Sequence, residues 1–352
     1  MSSSKKLLID LVKAHGRLSV EDFMALFLTN PTVGYYAKQP VFGERGDFVT
    51  APEISQMFGE LLGLWLAQCW IEQDRPLKFA LLELGPGRGT LMDDLLRATE
   101  RVAGFHNAMQ VYLLEKSPRL REIQKEKLKR HDIIWLDKLQ KLPDQPLFFI
   151  ANEFFDALPI RQFQRVGDIW FERYIVLKDG LLTFEFSPEK IIVPEYISSR
   201  QDLADGDIVE VCPRGIRICQ FLSHCVKFKG GAGLIVDYGN WMSKGDTLQA
   251  VKDHKIVAAL ESPGLADLTA HVDFAALAEA SVCKKSKLTP QGQFLERIGI
   301  TQRANALCTN LQDDALQLHI AAHKRLTHPT EMGNLFKVMA LYPPFVKTPV
   351  GF

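Results

Sequence analysis

Leu81-Leu82-Glu83-Leu84-Gly85-Pro86-Gly87-Arg88-Gly89-Thr90 carries an apolar run through an acid into three alternating glycines. An amphipathic segment, Leu91 to Ala98, follows. That order predicts a strand, a tight turn and a helix. Glycines in such a turn let a ligand approach bare backbone, and the acid closes the strand end beside it. The spacing is G-x-G-x-G, unlike the dinucleotide G-x-G-x-x-G or the phosphate-binding G-x-x-x-x-G-K-[ST]. The loop holds no Lys, so no phosphate is expected there. A turn with no ligand would have the same local sequence, and the neighbouring units decide between the two.

Outward from this loop the pattern repeats. Met109 to Leu114 is a second apolar run, and it ends at Glu115. A carboxylate accepts two hydrogen bonds at once, so an acid one helix after a glycine loop suits a pair of ribose hydroxyls. Strand and helix patterns alternate over 79–84, 90–103, 110–115, 118–130, 133–136 and 147–151, predicting an α/β fold with a doubly wound parallel sheet. Two β-rich runs, Ile169–Leu177 and Leu181–Phe186, flank Asp179-Gly180, a hairpin signal. A helix is expected over 213–228, a strand over 233–239, irregular chain over 241–270, and a closing strand over 335–341. The expected organisation is a helical N-terminal region and lid (1–75), a Rossmann-like core (76–240), and an insertion with C-terminal α+β elements completing the sheet (241–352).

A second constellation follows the buried run Leu147–Ala151: Asn152-Glu153-Phe154-Phe155-Asp156-Ala157-Leu158-Pro159. Ligands of doubly wound sheets sit beyond the carboxyl ends of the strands, near the switch point. Asn152, Glu153 and Asp156 are therefore expected in the same crevice as the glycine loop. A plain helix start, with Asn152 as its cap, reads from the same residues.

Glu83 to Thr90, Asn152 to Pro159 and Gly46 to Glu60 together resemble the MidA-type S-adenosylmethionine-dependent methyltransferases. Asn30-Pro-Thr-Val-Gly-Tyr-Tyr36, Ala266 to Phe274 and Gln291 to Leu295 extend the resemblance from about residue 5 to about residue 341. The chain has Ala51 where the family's version carries Ser. That family includes a mitochondrial complex I assembly factor that is a type II protein arginine methyltransferase. The resemblance implies a Rossmann-like class I core and S-adenosyl-L-methionine as cofactor. Symmetric dimethylation of a protein arginine is the activity it implies in the mitochondrial branch. It implies cofactor contacts at Glu83, Gly85, Pro86, Gly87, Gly89, Thr90, Glu115, Lys116, Leu136, Asp137 and Asn152. Glu83 is expected near the methionine ammonium.

Methyl transfer from a sulfonium needs alignment more than covalent help. An arginine acceptor is protonated and its lone pair delocalised. A carboxylate gripping two N–H groups would orient the fork and give the proton an exit. Glu153 is the first candidate, Asp156 the second, with Asn152 beside them. Asp47, Phe48 and Glu53 lie in a long irregular stretch expected to act as a lid, with Glu53 a further guanidinium ligand. Asp267 and His271 have helical spacing, and a capped helix bearing a surface histidine is the expectation there.

Lys+Arg and Asp+Glu number 42 each, which leaves no electrostatic footprint for nonspecific nucleic-acid binding. The six cysteines form no C-x-x-C pair, so no metal site is expected. No apolar stretch is long enough to span a bilayer. Leu7-Leu8-Ile9 is broken by Asp10, and Glu21 and Asp22 follow, unlike a secretory signal or a presequence. The expectation is a cytoplasmic protein of bacterial type, acting on an arginine-bearing protein partner, with a homodimer open. Methylation of another amine or a nucleobase, and assembly by binding without turnover, are the competing readings.

Overall fold

The computed structural model describes residues 3–38, 50–309 and 311–352, the side chains of Ala37 and Lys38 excepted. Five apolar runs form parallel strands: β1 (Phe79–Leu84), β2 (Met109–Leu114), β3 (Ile133–Leu136), β4 (Leu147–Asn152) and β5 (Gly231–Asn240). β6 (Phe336–Tyr342) runs antiparallel to β5. The order is β3-β2-β1-β4-β5-β6, with the short strand Lys284–Lys285 outermost. β1 and β4 are buried along their whole length, which is why both read as unbroken apolar runs. The chain leaves β1 for β2 and β3, then returns to β4 on the other side of β1. The switch point therefore lies between β1 and β4, beside the glycine loop and Asn152.

Helices cover both faces of this sheet. After α1 (Ser3–His15) and α2 (Val20–Thr29), which lie elsewhere, α3 (Gln56–Glu72) and α4 (Thr90–Thr99) cover one face. α5 (Pro118–Lys127) falls between β2 and β3 in the chain, and α6 (Pro213–Lys229) covers the other face. Ser19 caps α2 through the Asp22 N–H at 3.0 Å, as its sequence signals. α3 and α4 cross in close contact because α3 presents glycines. A Cβ on Gly59 would stand 2.8 Å from Asp94 Cβ and 2.9 Å from the Leu91 carbonyl oxygen, and one on Gly63 would stand 2.8 Å from Leu95 Cγ. Buried Glu60, between them on α3, pairs with Arg97 and Arg303 at 2.7 Å each. This seam fixes the start of α4, and with it the glycine loop.

Between β4 and β5 the chain builds a separate antiparallel sheet from Arg161–Val166, Ile169–Lys178, Leu181–Ile191 and Ile208–Val211, joined by Leu18–Ser19. Asp179 (φ 51°) and Gly180 (φ 80°) are both left-handed, the conformation the Asp-Gly signal requires. α1 and α2 pack on this sheet, burying Leu8, Val12, Phe23 and Phe27 with Ile175.

The stretch 241–270, expected to be irregular, holds a three-stranded sheet of Gln249–Lys252, Lys255–Val257 and Asp267–Thr269. Its hairpin turn places Asp253 (φ 49°) and His254 (φ 59°) in the left-handed region with no glycine to signal it. Asp267 thus lies on a strand, not a helix, and Asp273 is the residue that caps the next helix, Phe274–Ala280. Among the described residues no helix is long and apolar enough to cross a membrane.

The α3–α4 seam has no room for a branched side chain. Gly59→Val is expected to lower unfolding stability by about 1–3 kcal/mol in a urea titration, the cost of overpacking a close contact.

Candidate active site

The carboxyl ends of β1, β2 and β4 open into a cavity of about 950 Å³. Its floor includes Gly85, Gly87, Glu115 and Glu153, and α6 supplies Arg214, Arg217 and Phe221 on one wall. Gly85, Gly87 and Gly89 all have positive φ (65°, 54°, 80°). At Gly85 a Cβ would also meet the Phe154 ring at 2.9 Å, so glycine is required there twice over.

Glu115 Oε1 accepts the Ser117 N–H at 2.8 Å, and Oε2 accepts from Gln124 Nε2 at 3.3 Å. Gln124 is fully buried; it also donates to the Gly87 carbonyl at 2.8 Å and accepts from Trp135 Nε1 at 2.8 Å. One amide thus ties the glycine loop, the end of β2 and β3 together. Arg121 Nε donates to the Glu115 carbonyl at 2.8 Å, and its Nη2 to the Leu136 carbonyl at 3.0 Å, pinning the ends of β2 and β3. Lys116 and Asp137 line the cavity. Asp137 pairs with Lys141 at 2.6 Å, while Leu136 is buried at the end of β3. Pro86 and Thr90 complete the loop, and Thr90 Oγ1 donates to Glu53 Oε1 at 2.5 Å.

Two buried oxygen atoms here lack a hydrogen-bond partner among the described residues: Glu83 Oε2 at the end of β1 and Asn152 Oδ1 at the end of β4. Burial, and then Glu115 nearby, raise the Glu83 carboxyl to about 8. Unpartnered buried acceptors at a strand end are costly, and a cationic ligand carrying N–H groups would relieve both.

The loop after β4 is the most constrained part of the site. Glu153 has φ 50°, a left-handed backbone rare for a side chain of its size. Its N–H donates to the Val236 carbonyl at 2.9 Å. The next three N–H groups, of Phe154, Phe155 and Asp156, all point to Asp237 Oδ2 at 3.2, 2.8 and 3.4 Å. Asp237 Oδ1 takes the Tyr238 N–H at 2.9 Å. Glu153 Oε1 accepts from the Ala51 N–H at 3.0 Å and from Asn152 Nδ2 at 3.1 Å.

The Glu153 carboxyl is raised to about 7 by burial, against those two donors. Asp156 is raised well above the usual range by burial first and then by Asp237, Glu153 and Asp267 around it. Burial raises Asp237 too, but four backbone N–H groups favour its charge, so Asp156 holds the proton of that pair.

The sequence candidates therefore separate. Glu153 lines the cavity of the glycine loop, Asn152 bonds its carboxylate, and Asp156 follows in the same loop outside that lining. Glu53, expected to grip a guanidinium, is turned to the start of α4, where it holds Thr90 and pairs with Arg88 at 3.4 Å. Asp47 and Phe48 lie outside the described residues. Sequence reading passes over Gln124, and at Asp237 it offers a strand end that either borders the acceptor pocket or turns into a loop. A polar residue inside an apolar run, as at Asp237, was the available signal.

A doubly wound sheet with a glycine loop, two acid-ended strands and a buried carboxylate pocket at the switch point defines a Rossmann-like methyltransferase. The chain belongs to a family of S-adenosyl-L-methionine-dependent methyltransferases, whose model matches residues 61–293. It is 38% identical to the mitochondrial protein arginine methyltransferase NDUFAF7 of Xenopus tropicalis, over 96% of this chain and 85% of that protein. The human protein of that name is 36% identical, over 94% of this chain and 81% of its own length. A Burkholderia thailandensis protein crystallised with S-adenosyl-homocysteine superposes with a TM-score of 0.84 at 26% identity, covering 99% of this chain and 94% of that one. S-adenosyl-L-methionine is thus the cofactor, and the unpartnered oxygens fit its cationic methionine end.

These relatives correct the cytoplasmic expectation, because the Xenopus, human and Drosophila melanogaster proteins are all named as mitochondrial. The residues read as unlike a presequence belong to α1 and α2, packed parts of the fold. Their composition reports packing, not destination.

Because the folded pKa of Glu83 is raised, the protein binds its proton more tightly than the unfolded chain does. Stability from this residue is present at acid pH and lost as pH climbs through about 8. Without cofactor, Glu83→Gln is expected to melt at a higher temperature than the parent at pH 8, with the gap closing toward pH 5, and to lose cofactor binding in calorimetry.

Proposed function

We propose that the protein is an arginine N-methyltransferase acting on a partner protein. One observation carries this reading: Glu153, Asp156 and Asp237 crowd one buried crevice, and among the described residues none of them pairs with a Lys or Arg. A buried cluster of acids with no Lys or Arg paired to it favours a ligand cation that brings several N–H donors, and the guanidinium fork matches a carboxylate geometrically. The same acids oppose a phosphodiester backbone, which disfavours a nucleobase acceptor. The arginine-specific names of the relatives point the same way.

S-adenosyl-L-methionine, when bound, supplies an electrophilic methyl group on a sulfonium. Glu83, Asn152 and the glycine loop would hold its methionine end, and Glu115 its ribose. Glu153 would do the acceptor's share. Its Oε1 is fixed by Ala51 and Asn152, leaving Oε2 for two guanidinium N–H groups. That grip directs a terminal nitrogen toward the methyl and draws the positive charge toward the carboxylate, away from the attacking lone pair. A carboxyl poised near 7 can then take the proton that the methylated nitrogen must lose. Asp156, protonated, caps the charge of Asp237 without adding a second anion against Glu153. Glu53 serves as a clasp on the loop and not as a ligand.

Glu153 must be ionised to grip the fork, so kcat/KM for an arginine peptide is expected to rise with pH through about 7 and then level off. Glu153→Gln should lower kcat by about 10²–10⁴-fold, the usual range for a lost general base, and should abolish that rise without abolishing cofactor binding. Methylated residues identified by mass spectrometry after reaction decide the acceptor. Lysine or amino-terminal methylation in place of arginine would refute the reading.

A further inference from the structure

A second cavity of about 550 Å³, sharing no lining residue with the first, lies at the ends of β5 and β6. Its polar lining includes His271, Arg325, Glu331 and Lys337, with the ring of Tyr238 on one side. Two stretches of chain join it to the acidic crevice, each within one residue. On β5, Asp237 takes the N–H groups of the Glu153 loop, while the next residue, Tyr238, lines the second cavity. On the other stretch, the Ala270 N–H donates to the Asp156 carbonyl at 3.0 Å, while the next residue, His271, packs edge-on against Tyr238 with ring centroids 4.1 Å apart.

The contrast in charge is local: Glu153, Asp156 and Asp237 form a cluster of acids, whereas Arg325 and Lys337 line the second cavity. Lys337 is half-buried, and its ammonium bonds the carbonyl oxygens of Asn334 and Leu335. Arg325 stands exposed at the rim. Among the described residues neither cation pairs with a carboxylate, and Glu331, the one acid of the lining, pairs with neither. The half-buried His271 ring adds an N–H donor to the two cations.

We propose that this second cavity is a subsite for a side-chain carboxylate of the protein substrate, lying within a few residues of the methylated arginine. It rests on the arginine reading above. The substrate would then be recognised as a charge pair, its guanidinium in the acidic crevice and its acid between Lys337 and Arg325. A rule of this kind selects one arginine among many, because an arginine with basic neighbours meets like charge in the second cavity. Partly buried, the contact is less screened than a surface ion pair.

The test is fluorescence anisotropy on the full chain loaded with S-adenosylhomocysteine. The probes are labelled peptides, blocked at both ends, that carry one Arg and one Asp at successive positions on either side of it. Companion peptides replace Asp by Ala or Arg by Ala. The wild type is expected to bind the best Arg/Asp peptide about tenfold tighter than its Arg/Ala companion. In Lys337→Gln combined with Arg325→Gln the difference should fall below about twofold, with S-adenosylhomocysteine affinity unchanged as the check on folding. Equal binding of the Asp and Ala companions by the wild type, or a preference that survives in the double variant, overturns the subsite. The Arg-to-Ala comparison is read separately. Unchanged affinity there would overturn the arginine reading itself, and the subsite with it.

Discussion

The Asp237 carboxylate holds the site together. It sits fully buried in the middle of the sheet's upper edge and receives four backbone N–H groups, three from the loop after β4 and one from its own strand. Each of those groups would otherwise be a buried orphan, and a charged acceptor satisfies them more strongly than a neutral one. The Glu153 backbone, in the left-handed region, is held by this arrangement and by its own bond to Val236. Burial costs Asp237 much of its hydration, and the ring of N–H donors offsets that cost.

From this anchor the other parts follow in order. The loop fixed by Asp237 places Phe154 against Gly85, so the acceptor side and the cofactor side share a wall. The glycine loop is held from three directions: by Gln124 on the Gly87 carbonyl, by Glu53 on Thr90, and by the glycine seam of α3 against α4. Glu153 reaches back to the Ala51 N–H, three residues after which the helix carrying Glu53 ends. A few hydrogen bonds therefore couple acceptor positioning to cofactor positioning, and the pocket is set before either ligand arrives.

What the sequence made legible is what depends on local pattern. The glycine loop, the acid-ended strands and the Asp-Gly hairpin each obey a rule of conformation or periodicity that acts over a few residues. The placement of Asn152, Glu153 and Asp156 at the switch point followed from topology. The rest was hidden for a physical reason: its partners are backbone groups far away in the chain. Asp237 serves N–H groups more than eighty residues upstream, which no side chain announces. Gln124 looks like any polar residue on a surface helix until its own burial and its bonds to Trp135 and Gly87 are seen. Glu53 carried the right charge for a ligand, but Thr90 and Arg88 claim it. The strands within 241–270 were missed because Asp253 and His254 make their turn without glycine.

The central claim is that the Glu153 carboxylate, held by this loop, receives the acceptor's guanidinium. A crystal structure of the protein with S-adenosylhomocysteine and an arginine-containing peptide tests it most directly. The account predicts two guanidinium nitrogens within about 3.2 Å of the Glu153 carboxylate, with the Asp237 hydrogen bonds intact. A guanidinium bound elsewhere, or a different side chain of the peptide seated in that crevice, would contradict it.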